Sequence, residues 1–201
     1  MNQLLSAFVL DLYVDGVAHD AAQPDRLLKR RNLEPATAEL LSLIVRIADA
    51  RRVVEIGTAN GYSTIWLADA AGETGGHVVS IDASACSDAR ANLVRADAAQ
   101  PGLASRVELR REEGGAYLAR LGDASVDVLF LDAERVEYPS WWPHPCRVLR
   151  PGGVLAIDNV LSHADEVTPF LSLLAGERAL VGATVAVGKG LHLAWKMPSN
   201  A

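Results

Sequence analysis

The sequence predicts an α/β fold in which helices cover both faces of a doubly wound, mostly parallel sheet. Three observations predict it: short β-branched runs recurring after residue 51, helical stretches between them, and a glycine-bearing turn where the first run meets its helix. The runs span 53–56, 78–81, 107–109, 126–131 and 154–157.

The first third of the chain reads as helical. Leu40, Ile44 and Ile47 recur at helical spacing with Leu41 and Ala48 beside them, and Pro35 sits where a first turn tolerates it. These helices are expected to cover one side of the sheet. Residues 63–71 read as a crossover helix stopped by Gly72, and 84–100 as another stopped before Gly102. Near the end, 183–187 and 191–195 flank Gly188-Lys189-Gly190, which reads as a hairpin and adds an antiparallel edge strand. No repeat, low-complexity tract or linker interrupts the chain. Residues 1–201 are therefore read as one domain, a helical extension over 1–50 on a sheet core over 51–201.

Composition narrows the function. Half of the 201 residues are apolar, enough for one substantial core. A formal net charge of −6 and a pI near 5.3 speak against nucleic acid or an anionic membrane as partner. Cys86 and Cys146, the two cysteines, have no metal-ligand spacing and fit a reducing cytoplasm. The N-terminus lacks a basic leader, and Asp11 and Asp15 interrupt its apolar stretch, so the protein is read as soluble and unprocessed.

The most informative segment is Glu55-Ile56-Gly57-Thr58-Ala59-Asn60-Gly61-Tyr62-Ser63-Thr64, a strand entering a glycine-bearing loop and then a helix. Open α/β sheets bind ligands at such turns. Gly57 and Gly61 are expected to let backbone approach a ligand, and Glu55 to accept hydrogen bonds from a cationic amino group. Asp82, closing the second strand, stands where a ribose-binding acid is expected. A nicotinamide dinucleotide site wants glycines at 57, 59 and 62, where this chain has Gly57, Ala59 and Tyr62. A Walker loop fails for want of glycine-lysine-serine/threonine, and a hydrolase nucleophile elbow fails at Ile65. The bland alternative is that both glycines only permit a tight turn.

With these residues the segment resembles the cofactor loop of S-adenosylmethionine-dependent methyltransferases, and more narrowly of the catechol and caffeoyl-CoA O-methyltransferase family. The resemblance covers roughly residues 35–195. It implies a Rossmann-like, seven-stranded sheet with the last strand antiparallel, and a homodimer. It also implies that Gly57, Thr58 and Gly61 approach the methionine portion, that Asp82 binds the ribose, and that Tyr62 and Ser63 help close the pocket. Glu113 and Gly114 are implied to lie near the adenine, where the family more often has Gly-Asp-Ala.

Two later strands end in hard oxygen ligands, Asp132 and then Asp158-Asn159. Two carboxylates and an amide oxygen suit Mg²⁺, Mn²⁺ or Ca²⁺, although strand-end Asp and Asn are also ordinary turn formers. The resemblance implies that Asp132, Asp158 and Asn159 are metal ligands, that Asp132 also faces the cofactor, and that the ion acidifies a hydroxyl of a small catechol-like acceptor. Relatives typically carry a lysine three residues after the first metal aspartate, whereas this chain has Arg135. Arginine stays protonated, so Arg135 is expected to stabilise an oxyanion or bind substrate and not to act as base. Either metal coordination alone acidifies the acceptor, or Glu134, His163 or a metal-bound hydroxide takes the proton. Tyr138, Trp141 and Trp142 read either as an aromatic wall against a planar acceptor or as packing of a helix on the sheet, with the nearby prolines favouring a site role for Trp141 and bulk favouring core packing for Trp142; Trp66 is read as core and the remaining histidines as surface or strand-end. The alternatives are metal-independent transfer to another acceptor, or a catalytically inactive cofactor-binding protein.

Overall fold

The computed structural model describes residues 1–25 and 28–198. Two helices, α1 (Gln3–Ala22) and α2 (Pro35–Ile47), precede β1 (Arg52–Ile56), α3 (Tyr62–Thr74), β2 (His77–Asp82), α4 (Ser87–Ala99) and β3 (Val107–Arg111). There follow α5 (Gly114–Arg120), β4 (Val126–Leu131), α6 (His144–Val148), β5 (Leu149–Ile157), α7 (Ala164–Gly176), β6 (Leu180–Val185) and β7 (Leu191–Lys196).

The seven strands lie in the order β3-β2-β1-β4-β5-β7-β6. Strands β1 to β5 pair in parallel, and β7 runs antiparallel to both β5 and β6. The hairpin forms as expected, but β7 is not the edge. It inserts between β5 and β6, because Leu191 and Ala194 bury against the sheet while β6 is exposed along most of its length.

Alternate residues of each parallel strand feed two cores, which explains their nearly continuous apolar runs. Val53, Val78, Val128 and Ala156 pack with α1, α2, α3 and α4; Val54, Val79, Leu129 and Leu155 pack with α5, α6 and α7. The N-terminal helices thus cover one side. In α2, Leu41 and Ile44 are buried, but Ile47, read as part of the same apolar face, is exposed at the helix end.

Several boundaries moved for physical reasons. Helix α3 runs through Gly72 and stops at Gly75, whose φ of +70° gives the left-handed cap. Helix α4 starts at Ser87 because Ser84 is spent on Asp82, to which both its N–H and its hydroxyl donate. Strand β5 begins at Leu149, five residues before the apolar run, and β6 begins three residues earlier than the run at 183. Trp66 is only partly buried. No helix among the described residues is long and apolar enough to cross a membrane.

Candidate active site

The strand order reverses between β1 and β4, and the crevice beyond their carboxyl ends is where such sheets hold ligands. A cleft of about 290 Å³ opens there, near the lower end for small-molecule sites at about 300–1,000 Å³. Gly57, Thr58, Tyr62 and Ser63 line it from the β1–α3 turn, Asp82 from the end of β2, and Glu113 and Gly114 from the start of α5. Asp132 and Arg135 enter after β4, and Asn159 after β5. Of the residues singled out from sequence, Glu55, Gly61 and Asp158 are not on the cleft wall.

Asp82 is the clamp of the turn. Its Oδ2 accepts from the N–H of Thr58 at 2.9 Å and of Ala59 at 3.0 Å, while Oδ1 accepts from the Ser84 N–H at 2.8 Å. Burial disfavours its charge, yet these donors outweigh burial and hold the carboxyl below its ordinary range.

Glu55 sits beneath the turn with no exposure. Ser63 Oγ donates to its Oε1 at 2.5 Å; Thr64 Oγ1 and Ser80 Oγ donate to its Oε2 at 2.5 and 2.6 Å. Burial drives its pKa up to about 7 against those three bonds. The expected direct hold on an amino group is therefore corrected: Glu55 braces Ser63, which lines the cleft.

The glycines also need correcting. A Cβ on Gly57, at φ +107°, would lie 2.1 Å from the Asp132 carbonyl oxygen, and one on Gly61, at φ +83°, 3.1 Å from Ala89 Cα. Both glycines are demanded by protein backbone, Gly57 by β4 and Gly61 by α4. Only Gly57 also borders the cleft.

Asn159 joins the two acids. Its Nδ2 donates to Asp158 Oδ2 at 2.7 Å and to Asp132 Oδ1 at 3.1 Å, from a left-handed backbone with φ +66° that asparagine tolerates. Asp158 is buried, and its Oδ1 has no hydrogen-bond partner. Burial raises the pKa of both acids; the Asp132 charge raises Asp158 further, while Lys189, Arg135 and Arg31 pull Asp132 back. Among the described residues no three His, Cys, Asp or Glu side chains cluster as a metal site, so the candidate set is these two carboxylates and one amide.

Arg135 is buried, and its Nε donates to Glu166 Oε2 at 2.9 Å. Tyr138 is fully buried, and its hydroxyl bridges the N–H and carbonyl of Ala133, fixing the chain just after Asp132. Trp141 forms a wall of the cleft; a Cβ on Gly115 would lie 2.5 Å from its ring, so the start of α5 must be glycine for the indole to lie there. Trp142 instead packs on Phe170. His163 also lines the cleft.

Sequence reasoning missed part of the cleft lining. Lys29, Arg30, Arg31 and Leu33 come from the segment before α2, and Lys189 from the β6–β7 turn. Three successive basic residues in an acidic chain, and a lysine between two glycines, were the available signals.

Comparison with known proteins points to one family. A family model described as O-methyltransferase matches residues 15–170. A catechol O-methyltransferase of Niastella koreensis is 30% identical over 165 residues, covering 78% of this chain and 72% of that protein. One of Mycobacterium tuberculosis is 36% identical over 146 residues, covering 72% and 62%. An O-methyltransferase of Bacillus cereus solved in complex with SAH superposes with a TM-score of 0.77 at 28% identity, covering 98% of this chain and 91% of that one. The tomaymycin-synthesis O-methyltransferase of Streptomyces achromogenes, solved with SAM, gives 0.74 at 28% over the same shares. With three quarters of its length inside that family model, this chain belongs to the O-methyltransferase family of enzymes.

Proposed function

We propose that this chain transfers the methyl group of S-adenosylmethionine to a hydroxyl of a small, catechol-like acceptor, with a divalent cation held by Asp132, Asp158 and Asn159. The observation that carries the reading is the convergence, in one cleft, of a turn clamped by Asp82 and an oxygen-rich pair of strand ends. Two similar structures hold SAM or SAH, which supports the donor.

The residues present fit a hard cation. Asp158 Oδ1 is buried without a partner, the two carboxylates share the Asn159 amide, and a half-turn of that amide would aim its oxygen at both. A divalent cation there would stabilise the oxyanion of a deprotonated hydroxyl. The chain's own residues do the positioning. Tyr138 fixes the Ala133 backbone and with it Asp132; Trp141 and Tyr62 supply apolar walls; Asp82 and Ser63 offer oxygen acceptors to the donor's hydroxyls and amino group. Arg135, permanently protonated and oriented by Glu166, adds positive potential beside the acceptor oxygen and takes no proton. Alignment of the reacting atoms is worth orders of magnitude in rate.

Free Cys86 and Cys146 support a reducing, cytoplasmic setting. Metal-independent transfer is the second reading, favoured by Arg135 and by the Asn159 Nδ2 that already bridges both acids. Catechol turnover with Mg²⁺, after chelation, and in Asp158→Ala separates the two. The proposal expects stimulation by Mg²⁺ that chelation and the substitution abolish; equal rates in all three would remove the cation from the account.

A further inference from the structure

We propose that Arg31 and Lys189 form a cationic clasp over the acceptor end of the cleft and select acceptors that carry an anionic group, carboxylate or phosphate, besides the reacting hydroxyl. This rests on the methyl-transfer reading above and specifies the substrate class.

Both side chains line the same cleft as Asp132 and Asn159. Both are held by dedicated backbone structure. Arg31 adopts a left-handed φ of +49°, unusual for a long side chain. Asp20 sustains it: the N–H groups of Arg30 and Arg31 donate to its two carboxylate oxygens at 2.7 and 2.8 Å. Strained residues persist where surrounding structure fixes them, commonly at ligand sites.

Lys189 lies between Gly188 at φ +53° and Gly190 at φ +94°. A Cβ at Gly188 would fall 2.3 Å from Thr37 Oγ1, and one at Gly190 2.4 Å from Leu161 Cγ. The turn is thus wedged between the start of α2 and the loop after Asn159. The Lys189 carbonyl accepts from the N–H groups of Leu161 at 3.0 Å and Ser162 at 3.1 Å, tying the lysine to the loop that bears Asp158 and Asn159.

The present partners of these cations leave them available. Arg31 reaches Glu134 only at 3.4 Å, with both side chains over 40% exposed, a pair that an incoming anion replaces at little cost. Lys189 pairs with Glu34 at 3.0 Å and its charge also faces Asp132 and Asp158, while its ammonium has three donors. A purely structural latch would need one such pair. Here Lys29 and Arg30, which have no ion-pair partner among the described residues, line the same cleft in a chain of net charge −6. Four cationic side chains, Lys29, Arg30, Arg31 and Lys189, thus share the cleft with six carboxylates, and cations at a binding site draw anionic ligands to them.

The test is kcat/KM for three acceptors with the same vicinal hydroxyls: 3,4-dihydroxybenzoate, catechol and dopamine. The expected order is anion over neutral over cation, with about a tenfold step between the first two, carried mainly by KM. A 3,4-dihydroxyphenylphosphonate arm tells carboxylate from phosphate preference, since the faster of the two anions names the source. In Lys189→Met and Arg31→Met the benzoate-to-catechol ratio should fall towards one, and Lys189→Arg should keep it. Added salt should shrink the ratio in the unsubstituted enzyme, a check that needs no variant to fold. Equal kcat/KM across the charge series, or an anion preference that survives the double Met variant, overturns the clasp. Methylation of none of the three, with the donor bound, overturns the methyl-transfer reading beneath it.

Discussion

With both oxygens engaged by Ser63, Thr64 and Ser80 and no contact with water, the Glu55 carboxyl titrates at about 7 and not at its ordinary 4.5. A carboxyl raised in the folded state stabilises the fold fully below pH 4.5, and that contribution is lost as pH climbs through about 7. A displacement of this size is worth on the order of 3 kcal/mol. Glu55→Gln, which cannot ionise, should therefore gain stability relative to the parent as pH rises from 5 to 8, read by urea unfolding without cofactor. A difference that stays constant with pH would contradict the buried, braced carboxyl. Gly57 is governed by sterics. Gly57→Ala places a methyl on the Asp132 carbonyl and should cost at least about 2 kcal/mol in unfolding free energy. At this scale the sequence named most of the cleft but misread why residues stand there. Thr58, Asp82, Asp132 and Asn159 were legible because strand ends converge in this topology. Glu55 and Gly61 were assigned to a ligand because a one-dimensional pattern cannot tell a residue facing the cleft from one facing α3 and β2, as Glu55 does, or α4, as Gly61 does.

Among the elements, the five parallel strands were legible because strands buried on both faces must be apolar throughout, and no helix period imitates that. The hairpin was legible from Gly188-Lys189-Gly190, but its seat in the sheet was not, since the insertion of β7 between β5 and β6 depends on which hairpin strand finds the β5 edge. Helix ends were misplaced where glycine meant different things. Gly72 is an interior helical residue whose added Cβ would meet only the flexible Arg106 side chain, at 3.1 Å, whereas Gly75 holds a left-handed cap. Gly72→Ala should accordingly stabilise by up to about 1 kcal/mol, while Gly75→Ala should destabilise by about 1 kcal/mol, both by chemical denaturation. The same sign for both would contradict the helix boundary. The α5 start and Trp141 form one unit. Trp141→Ala should weaken donor binding about tenfold by calorimetry, because it removes a cleft wall that Gly114 and Gly115 exist to admit. Unchanged affinity would make the indole a packing residue only.

For the whole molecule, the segment before α2 and the β6–β7 turn, far apart in sequence, meet at the cleft. That meeting was illegible because no local pattern specifies which loops a folded sheet brings together. Along α1, Leu10, Val14 and Val17 remain exposed, and the homodimer implied by family resemblance would give that apolar row a partner; sedimentation velocity should then return twice the monomer mass of 21.4 kDa. The account stands or falls on a sulfonium donor and a hard cation sharing the cleft. Its most direct test is nuclear relaxation of S-adenosylmethionine carrying a ¹³C-labelled methyl group, bound to the enzyme without acceptor and titrated with paramagnetic Mn²⁺. The predicted result is strong, saturable relaxation enhancement of the bound methyl carbon that disappears in Asp158→Ala. A bound donor whose methyl relaxation does not respond to Mn²⁺, or responds equally in the variant, would contradict it.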